Sequence, residues 1–228
     1  MSRSQEISTA LKSVQERIEI AAVGAGRDPG DIRLIAVTKN FPLSDAQILY
    51  ELGLRDFGEN RDQEGALKSE QLPADLRWHF QGQIQSRKIK SISTWADTVH
   101  SLDSLEHARK FAALPAGTTK EFLVQINLEP ERLDRGGVAL GELDAFLRDL
   151  TDELELKPAG LMTVAPLAAP PLEVFLTLRR AQEERLEHFP SLTSLSMGMS
   201  GDFEDAIRAG ATHLRIGSSI LGSRGLPA

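Results

Sequence analysis

Short β-rich segments alternate with stretches of helical spacing along almost the whole chain, and this alternation limits the folds open to it more than any other feature. Eight β-rich segments follow in order: IRLIAVTK (32–39), LRDFGEN (54–60), LRWHFQG (76–82), DTVHSL (97–102), EFLVQIN (121–127), PAGLMTV (158–164), TSLSMG (193–198) and THLRIGSS (212–219). Between them, apolar residues recur at helical spacing: Ile48, Leu49 and Leu52; Leu105, Ala108 and Phe111; Leu140, Leu143, Phe146, Leu147 and Leu150; Phe203, Ala206 and Ile207. The stretches on either side of LRWHFQG carry a fainter helical pattern. Strands alternating with helices imply βαβ units and a parallel sheet. Continuous apolar runs such as LIAV and EFLVQI agree, because parallel strands are covered on both faces. Eight βα steps that close on themselves give an α/β fold, the (β/α)8 TIM barrel. The competing architecture is an open doubly wound sheet. It usually needs fewer strands, and no G-x-G-x-x-G follows the first one.

Ahead of the first strand, Ile7, Leu11, Val14, Ile18 and Ala22 fall on one helical face, and GAGRDPG (24–30) ends that helix. Residues 1–30 are thus expected to form an extra N-terminal helix and loop packed on the barrel. Residues 1–228 are expected to form one domain. APLAAPP (165–171) comes nearest to a linker and reads as a long loop after the sixth strand. An apolar content of 41% supports a real core. The formal charge, 26 − 33 = −7, argues against a nucleic-acid binder, which would carry a basic patch. With no cysteine there is no disulfide framework and no thiolate zinc site. The N-terminal MSRSQEISTALKSVQERIEI is charged throughout and has no signal-peptide core. No apolar run approaches the roughly 20 residues needed to span a bilayer. A cytoplasmic protein without membrane partners is expected.

In such barrels the functional groups sit at the C-terminal ends of the strands and in the loops that follow. Lys39 ends the first strand. A lysine desolvated at a barrel mouth has a lowered pKa, and its neutral amine forms Schiff bases with aldehydes and ketones; otherwise it is a strand-terminal lysine reaching out to solvent. SMGMSGD places Ser200 and Gly201 just before a helix, and RIGSS places Gly217, Ser218 and Ser219 just after the last strand. Serine-glycine turns after strands seven and eight suit a phosphate cup, although each alone is also an ordinary cap or turn. Arg215 leaves the same strand face as position 217. There it pairs with a carboxylate, holds a ring nitrogen of a ligand, or forms a rim salt bridge.

Six segments, IAVTK, FGEN, RWHFQGQIQ, GLMTV, SMGMSGDFEDAI and HLRIGSSILG, resemble the pyridoxal 5′-phosphate (PLP) homeostasis proteins, the YggS/PROSC family. These are single-domain barrels related to the N-terminal domain of alanine racemase. The match runs in order from about Ile32 to Gly222. The resemblance implies that Lys39 carries PLP as a Schiff base and that Asn60 lies beside it. It implies further that Ser200, with the backbone of Gly217 and Ser218, holds the phosphate, and that Arg215 faces the pyridine nitrogen. A guanidinium only donates hydrogen bonds, so it disfavours protonation of the ring and weakens it as an electron sink. Three departures from the family pattern are Gln81 for an apolar residue, Arg87 for an asparagine, and DRGG (134–137) for a lysine-containing segment. They are expected to alter loops and partner contacts, not cofactor binding.

Racemisation needs a second acid/base on the opposite face of the substrate, which alanine racemases take from a tyrosine of a separate domain. This chain has one tyrosine, Tyr50, in the helix after strand one, and ends a few residues past strand eight. The expectation is a non-catalytic PLP carrier, with no catalytic residue assigned, serving vitamin B6 homeostasis or delivery of PLP to apo-enzymes. A monomer is expected, because the second domain also supplies the racemase dimer contacts. The alternative is a weak amino-acid racemase or another Schiff-base enzyme. His79, His100, His107, His188 and His213 show no metal-ligand spacing and are expected to be packed or exposed. Of these, His79, between Trp78 and Phe80, is the one placed to point into the barrel. RKIK (87–90) is expected to be a solvated basic face.

Overall fold

The computed structural model describes residues 1–115, 121–129, 131 and 136–222. Strand β1 (Arg33–Val37) pairs in parallel on one side with β2 (Asp56–Glu59) and on the other with β9 (His213–Ile216). From β2 the sheet continues through β3 (Arg77–Phe80) and β4 (Thr98–Leu102) to β5 (Glu121–Asn127), and from there to β7 (Gly160–Met162) and β8 (Ser194–Ser196), which pairs with β9. Every pairing is parallel, and β4 against β5 completes the ring. A two-residue strand, β6 (Val138–Ala139), is appended to the end of β5. The eight expected strands are therefore present, and they close into the expected TIM barrel. All but β5, which spans its whole segment, are shorter than their β-rich segments. The polar ends of those segments, such as Lys39 and Asn60, lie past the last ladder residue, where the chain turns toward the next helix.

The helices cover the outside of the ring: α2 (Leu43–Glu51), α3 (Asp62–Gln71), α4 (Ile89–Trp95), α5 (Leu105–Ala112), α6 (Leu143–Arg148), α7 (Pro171–Glu183), α8 (Phe203–Arg208) and the single-turn α9 (Ser218–Leu221). The two helices with faint patterns, α3 and α4, are real. The sequence DQEGALKSEQ of α3 is polar because its buried positions are Asp62, Gly65 and Lys68, not aliphatic residues. Helix α6 ends in a wide turn over Asp149–Glu153, which carries Leu150 into the core.

The N-terminal helix α1 (Arg3–Gly24) starts at a capping box. Ser2 accepts from the Gln5 N–H while the Gln5 side chain accepts from the Ser2 N–H. Its predicted stripe, Ile7, Leu11, Val14, Ile18 and Ala22, is buried, and it packs on α8, α9 and α2. Arg17 holds the contact from above, its guanidinium 4.4 Å from the Phe203 ring centre and 2.8 Å from Glu204 Oε1. Burial of each large aliphatic side chain stabilises by about 1.5–3 kcal/mol, so this helix is an integral part of the fold.

Two cores result. The outer one lies between strands and helices and is mainly apolar, with the Thr38, Glu59, Asp62 and Lys68 side chains buried in it beneath α3. The inner one, along the barrel axis, holds Ile35, Leu123 and Met162 but also His79, His100, Ser196, His213 and Arg215, all buried. Axes of such barrels are usually filled by branched aliphatic residues. This one is largely polar.

Candidate functional site

Thr38, just past β1, faces outward. Its hydroxyl donates to Glu59 Oε1 (2.6 Å), and Lys68 Nζ donates both to the Thr38 carbonyl (2.8 Å) and to Glu59 Oε1 (2.6 Å). All three side chains are buried. The next residue is Lys39, which borders the barrel mouth. The chain then turns at Asn40, which takes a left-handed conformation (φ 60°) that asparagine tolerates better than most residues. The Asn40 N–H donates to Glu64 Oε2 (2.7 Å) and the Phe41 N–H to the Thr38 carbonyl (3.0 Å). The lysine thus stands on a turn fixed from outside by α3.

Lys39, Asn60, Ser200, Arg215, Gly217 and Ser218 all border one cavity of about 890 Å³ at the C-terminal mouth. They come from the ends of four strands, β1, β2, β8 and β9, and from positions as far apart as 39 and 218. Asn60 is set by a close approach. A Cβ on Gly82 would collide with the Asn60 carbonyl, so only glycine fits there. The loops after β8 and β9 are tied together: the Ser219 N–H donates to Ser200 Oγ (3.2 Å) and the Ser219 hydroxyl to the Ser200 carbonyl (3.3 Å). Gly217 lies against β1, where a Cβ would sit 3.0 Å from the Val37 carbonyl.

Arg215 forms part of the cavity wall. Nη1 donates to Ser196 Oγ (2.7 Å) and Nη2 to the Thr163 carbonyl (2.8 Å). Burial draws its pKa down to about 10, opposed by the Asp202 carboxylate, so it stays charged at neutral pH. Asp202 also borders the cavity and accepts from the Met199 N–H (2.6 Å). Burial raises the Asp202 carboxyl above the usual range, against the pull of that hydrogen bond and of Arg215.

Sequence reasoning gave no role to two residues that border the cavity, Phe41 and Asp202. Asp202 follows the glycine turn and reads as a helix cap. Met162, at the end of the sixth strand, borders the cavity as well. Gln81 also corrects an expectation. Taken as a loop departure, it lines the cavity itself, and its buried Nε2 has no hydrogen-bond partner among the described residues. Arg87 is exposed on the surface, and of DRGG only Gly136 and Gly137 fall within the described residues. Tyr50 lies away from the cavity, with its hydroxyl 3.4 Å from Asp75 and Arg55 over its ring at 4.1 Å. His79 does point into the barrel, joined by His100 and His213. Among the described residues no group of three or more His, Cys, Asp or Glu is arranged to hold a metal ion. No helix among them is long and apolar enough to cross a membrane.

Residues 11–225 match the family described as alanine racemase, N-terminal domain. A pyridoxal phosphate homeostasis protein of Mycobacterium leprae is 37% identical, the alignment covering 96% of this chain and 93% of that protein. One from Pseudomonas aeruginosa is 38% identical, with coverage of 97% and 98%. The structure of PipY from Synechococcus elongatus with PLP bound superposes with a TM-score of 0.80 at 31% identity, over 95% of this chain and all of that one. Alanine racemase of Corynebacterium glutamicum shares the fold, with a TM-score of 0.74 at 16% identity over 97% of this chain and 62% of the racemase.

Proposed function

Since the chain belongs to the alanine racemase N-terminal domain family, and within it to the pyridoxal phosphate homeostasis proteins, we propose that it binds PLP as a Schiff base on Lys39. In this reading it serves vitamin B6 homeostasis or passes PLP to apo-enzymes, without efficient catalysis. The observation that carries the proposal is the convergence of Lys39, Asn60, Ser200, Arg215, Gly217 and Ser218 on one cavity.

The cavity suits that cofactor. It offers a primary amine at the rim and a buried guanidinium in the wall, and at Gln81 an amide donor that has no partner among the described residues. Bound PLP supplies an aldehyde that condenses with an amine and a ring that withdraws electrons. Lys39 provides the amine, held on a turn that α3 fixes. Ser200 and the backbone at Gly217 and Ser218 receive the phosphate. Asn60 borders the ring. Arg215 donates toward the ring nitrogen and, being charged at neutral pH, keeps a proton off it. Such a ring is a poor electron sink, which favours storage of the cofactor over turnover. Tyr50, lying outside the cavity, is not available as a second acid/base.

A second reading, a weak amino-acid racemase or another Schiff-base enzyme, is favoured by Asp202. It is the one carboxylate bordering the cavity among the described residues, and burial raises its pKa. The deciding experiment is an absorbance scan of the purified chain supplied with PLP, alongside Lys39→Ala. A yellow band present in the native chain and lost in the variant is the expected result; no band in the native chain overturns the cofactor reading. Racemisation assayed on the same samples and on Asp202→Asn separates carrier from enzyme. Turnover that vanishes with Asp202 selects the enzyme.

A further inference from the structure

A line of four hydrogen bonds runs down the barrel axis from the cavity wall. Arg215 Nη1 donates to Ser196 Oγ (2.7 Å), and Ser196 Oγ lies 2.8 Å from His100 Nδ1. His100 Nε2 lies 2.9 Å from His79 Nδ1, and His79 Nε2 lies 3.0 Å from Asp56 Oδ1. The five residues come from five strands, β9, β8, β4, β3 and β2, and all are buried. At the far end Arg33 and Arg77 flank the Asp56 carboxylate at 3.5 and 3.4 Å.

The chemistry of the two ends sets the direction of every bond between them. A guanidinium can only donate and a carboxylate can only accept. With both imidazoles neutral, one arrangement satisfies all four links. His79 Nε2–H donates to Asp56, His100 Nε2–H donates to His79 Nδ1, the Ser196 hydroxyl donates to His100 Nδ1, and Ser196 Oγ accepts from Arg215. Burial holds His100 well below the ordinary histidine range, as neutrality requires. Asp56 is net lowered: burial raises its carboxyl, but the hydrogen bond from His79 and the charges of Arg33 and Arg77 outweigh it.

We propose that Ser196, His100, His79 and Asp56 form a one-way hydrogen-bond relay that fixes the Arg215 guanidinium in its cofactor-facing orientation, so that they are positioning residues for PLP acting from within the barrel. The proposal rests on the reading that PLP occupies the cavity with its ring toward Arg215. A polar axis of this kind is not needed to close a barrel, and it forgoes the aliphatic packing that normally fills one. His213 supplies an internal control. Its ring centre lies 6.0 Å from that of His100 and 6.3 Å from that of His79, yet its own short contact is with Thr212 Oγ1 (2.7 Å), off the line.

The test uses the full chain loaded with PLP. The absorption and circular dichroism of the bound cofactor and its dissociation constant are measured for Ser196→Ala, Ser196→Thr, His100→Leu and His213→Leu. Ser196→Ala and His100→Leu are expected to move the cofactor band and to weaken PLP about tenfold, the scale of one hydrogen bond to a charged group. Ser196→Thr, which keeps the hydroxyl, should restore the native spectrum, and His213→Leu should leave spectrum and affinity unchanged. If His100→Leu fails to fold, Asp56→Asn replaces it. That change keeps the volume but replaces the carboxylate with a neutral amide, so the far end loses the charge that anchors the line, and a band shift in the same direction is expected. A native band unmoved by Ser196→Ala and by His100→Leu or Asp56→Asn overturns the relay alone. A native chain with no band at all overturns the cofactor reading and the relay with it.

Discussion

Lys68 Nζ lies 2.6 Å from Glu59 Oε1, and both side chains are buried behind the turn that carries Lys39. Burial raises the Glu59 carboxyl, while the Lys68 charge and hydrogen bond and the Thr38 hydroxyl pull it back. Glu59 Oε2 has no partner among the described residues, so the pair tolerates no further loss. Lys68→Met is expected to cost about 3–5 kcal/mol, because it strands a buried charge. Adding Glu59→Gln to it should recover a large part of that. Urea denaturation of the two variants checks the order; equal stability of the single and double variants would refute it.

Glycines at two ends of the barrel separate stability from binding. A Cβ at Gly82 meets the Asn60 carbonyl, and a Cβ at Gly160 meets the Ser194 carbonyl. Both alanine variants are expected to lose about 1–3 kcal/mol through backbone displacement. Only Gly82→Ala should also weaken PLP, since it moves Asn60. Thermal melts together with PLP titration read the two effects.

The phosphate assignment has its own discriminating ligand. Ser200→Ala removes the hydroxyl that joins the two loops and faces the proposed phosphate. PLP affinity should fall about tenfold, while the affinity for pyridoxal, which has no phosphate, stays the same. An equal loss for both ligands would place the phosphate elsewhere.

Buried histidine makes stability depend on pH. Burial lowers His213 to about 3, with further lowering from His79, Arg33 and Arg215 and opposition from Asp56. The native state therefore refuses a proton that the unfolded chain accepts from about pH 6.5 downward. Stability contributed by the neutral form is complete above pH 6.5 and is lost as pH falls toward 3, at up to about 1.4 kcal/mol per pH unit. His100 acts in the same direction. His213→Asn should flatten the decline in the urea midpoint between pH 7 and 5 relative to the native chain. An unchanged slope would show that His213 is not buried neutral.

Much of this was legible in the sequence, for identifiable reasons. A strand covered on both faces must be apolar for several residues in a row, so LIAV and EFLVQI announce themselves, and a lysine ending such a run is conspicuous. Their spacing along the chain then yields the barrel and its mouth, where all six expected residues meet. The polar axis was hidden because its members lie up to 159 positions apart, Asp56 to Arg215, and nothing in the sequence joins them. His79 between Trp78 and Phe80, Ser196 between Leu195 and Met197, and Arg215 between Leu214 and Ile216 each carry a period-two signal of an inward polar residue, but not the line they form. Lys68 was hidden differently. A lysine in a polar helix reads as solvated, and nothing in DQEGALKSEQ reveals that its inner face meets Glu59.

The polar axis also changes which substitutions this barrel can absorb. In an aliphatic core a side chain is interchangeable with any other that fills the same space, and drift in sequence is limited by volume. Along a line of directed bonds, shape is not the constraint. A replacement matching in size to the last atom still fails if it puts a donor where an acceptor stood. Redesign of this interior therefore has to conserve a sequence of proton positions rather than a packing volume, and neighbouring positions must change together or not at all.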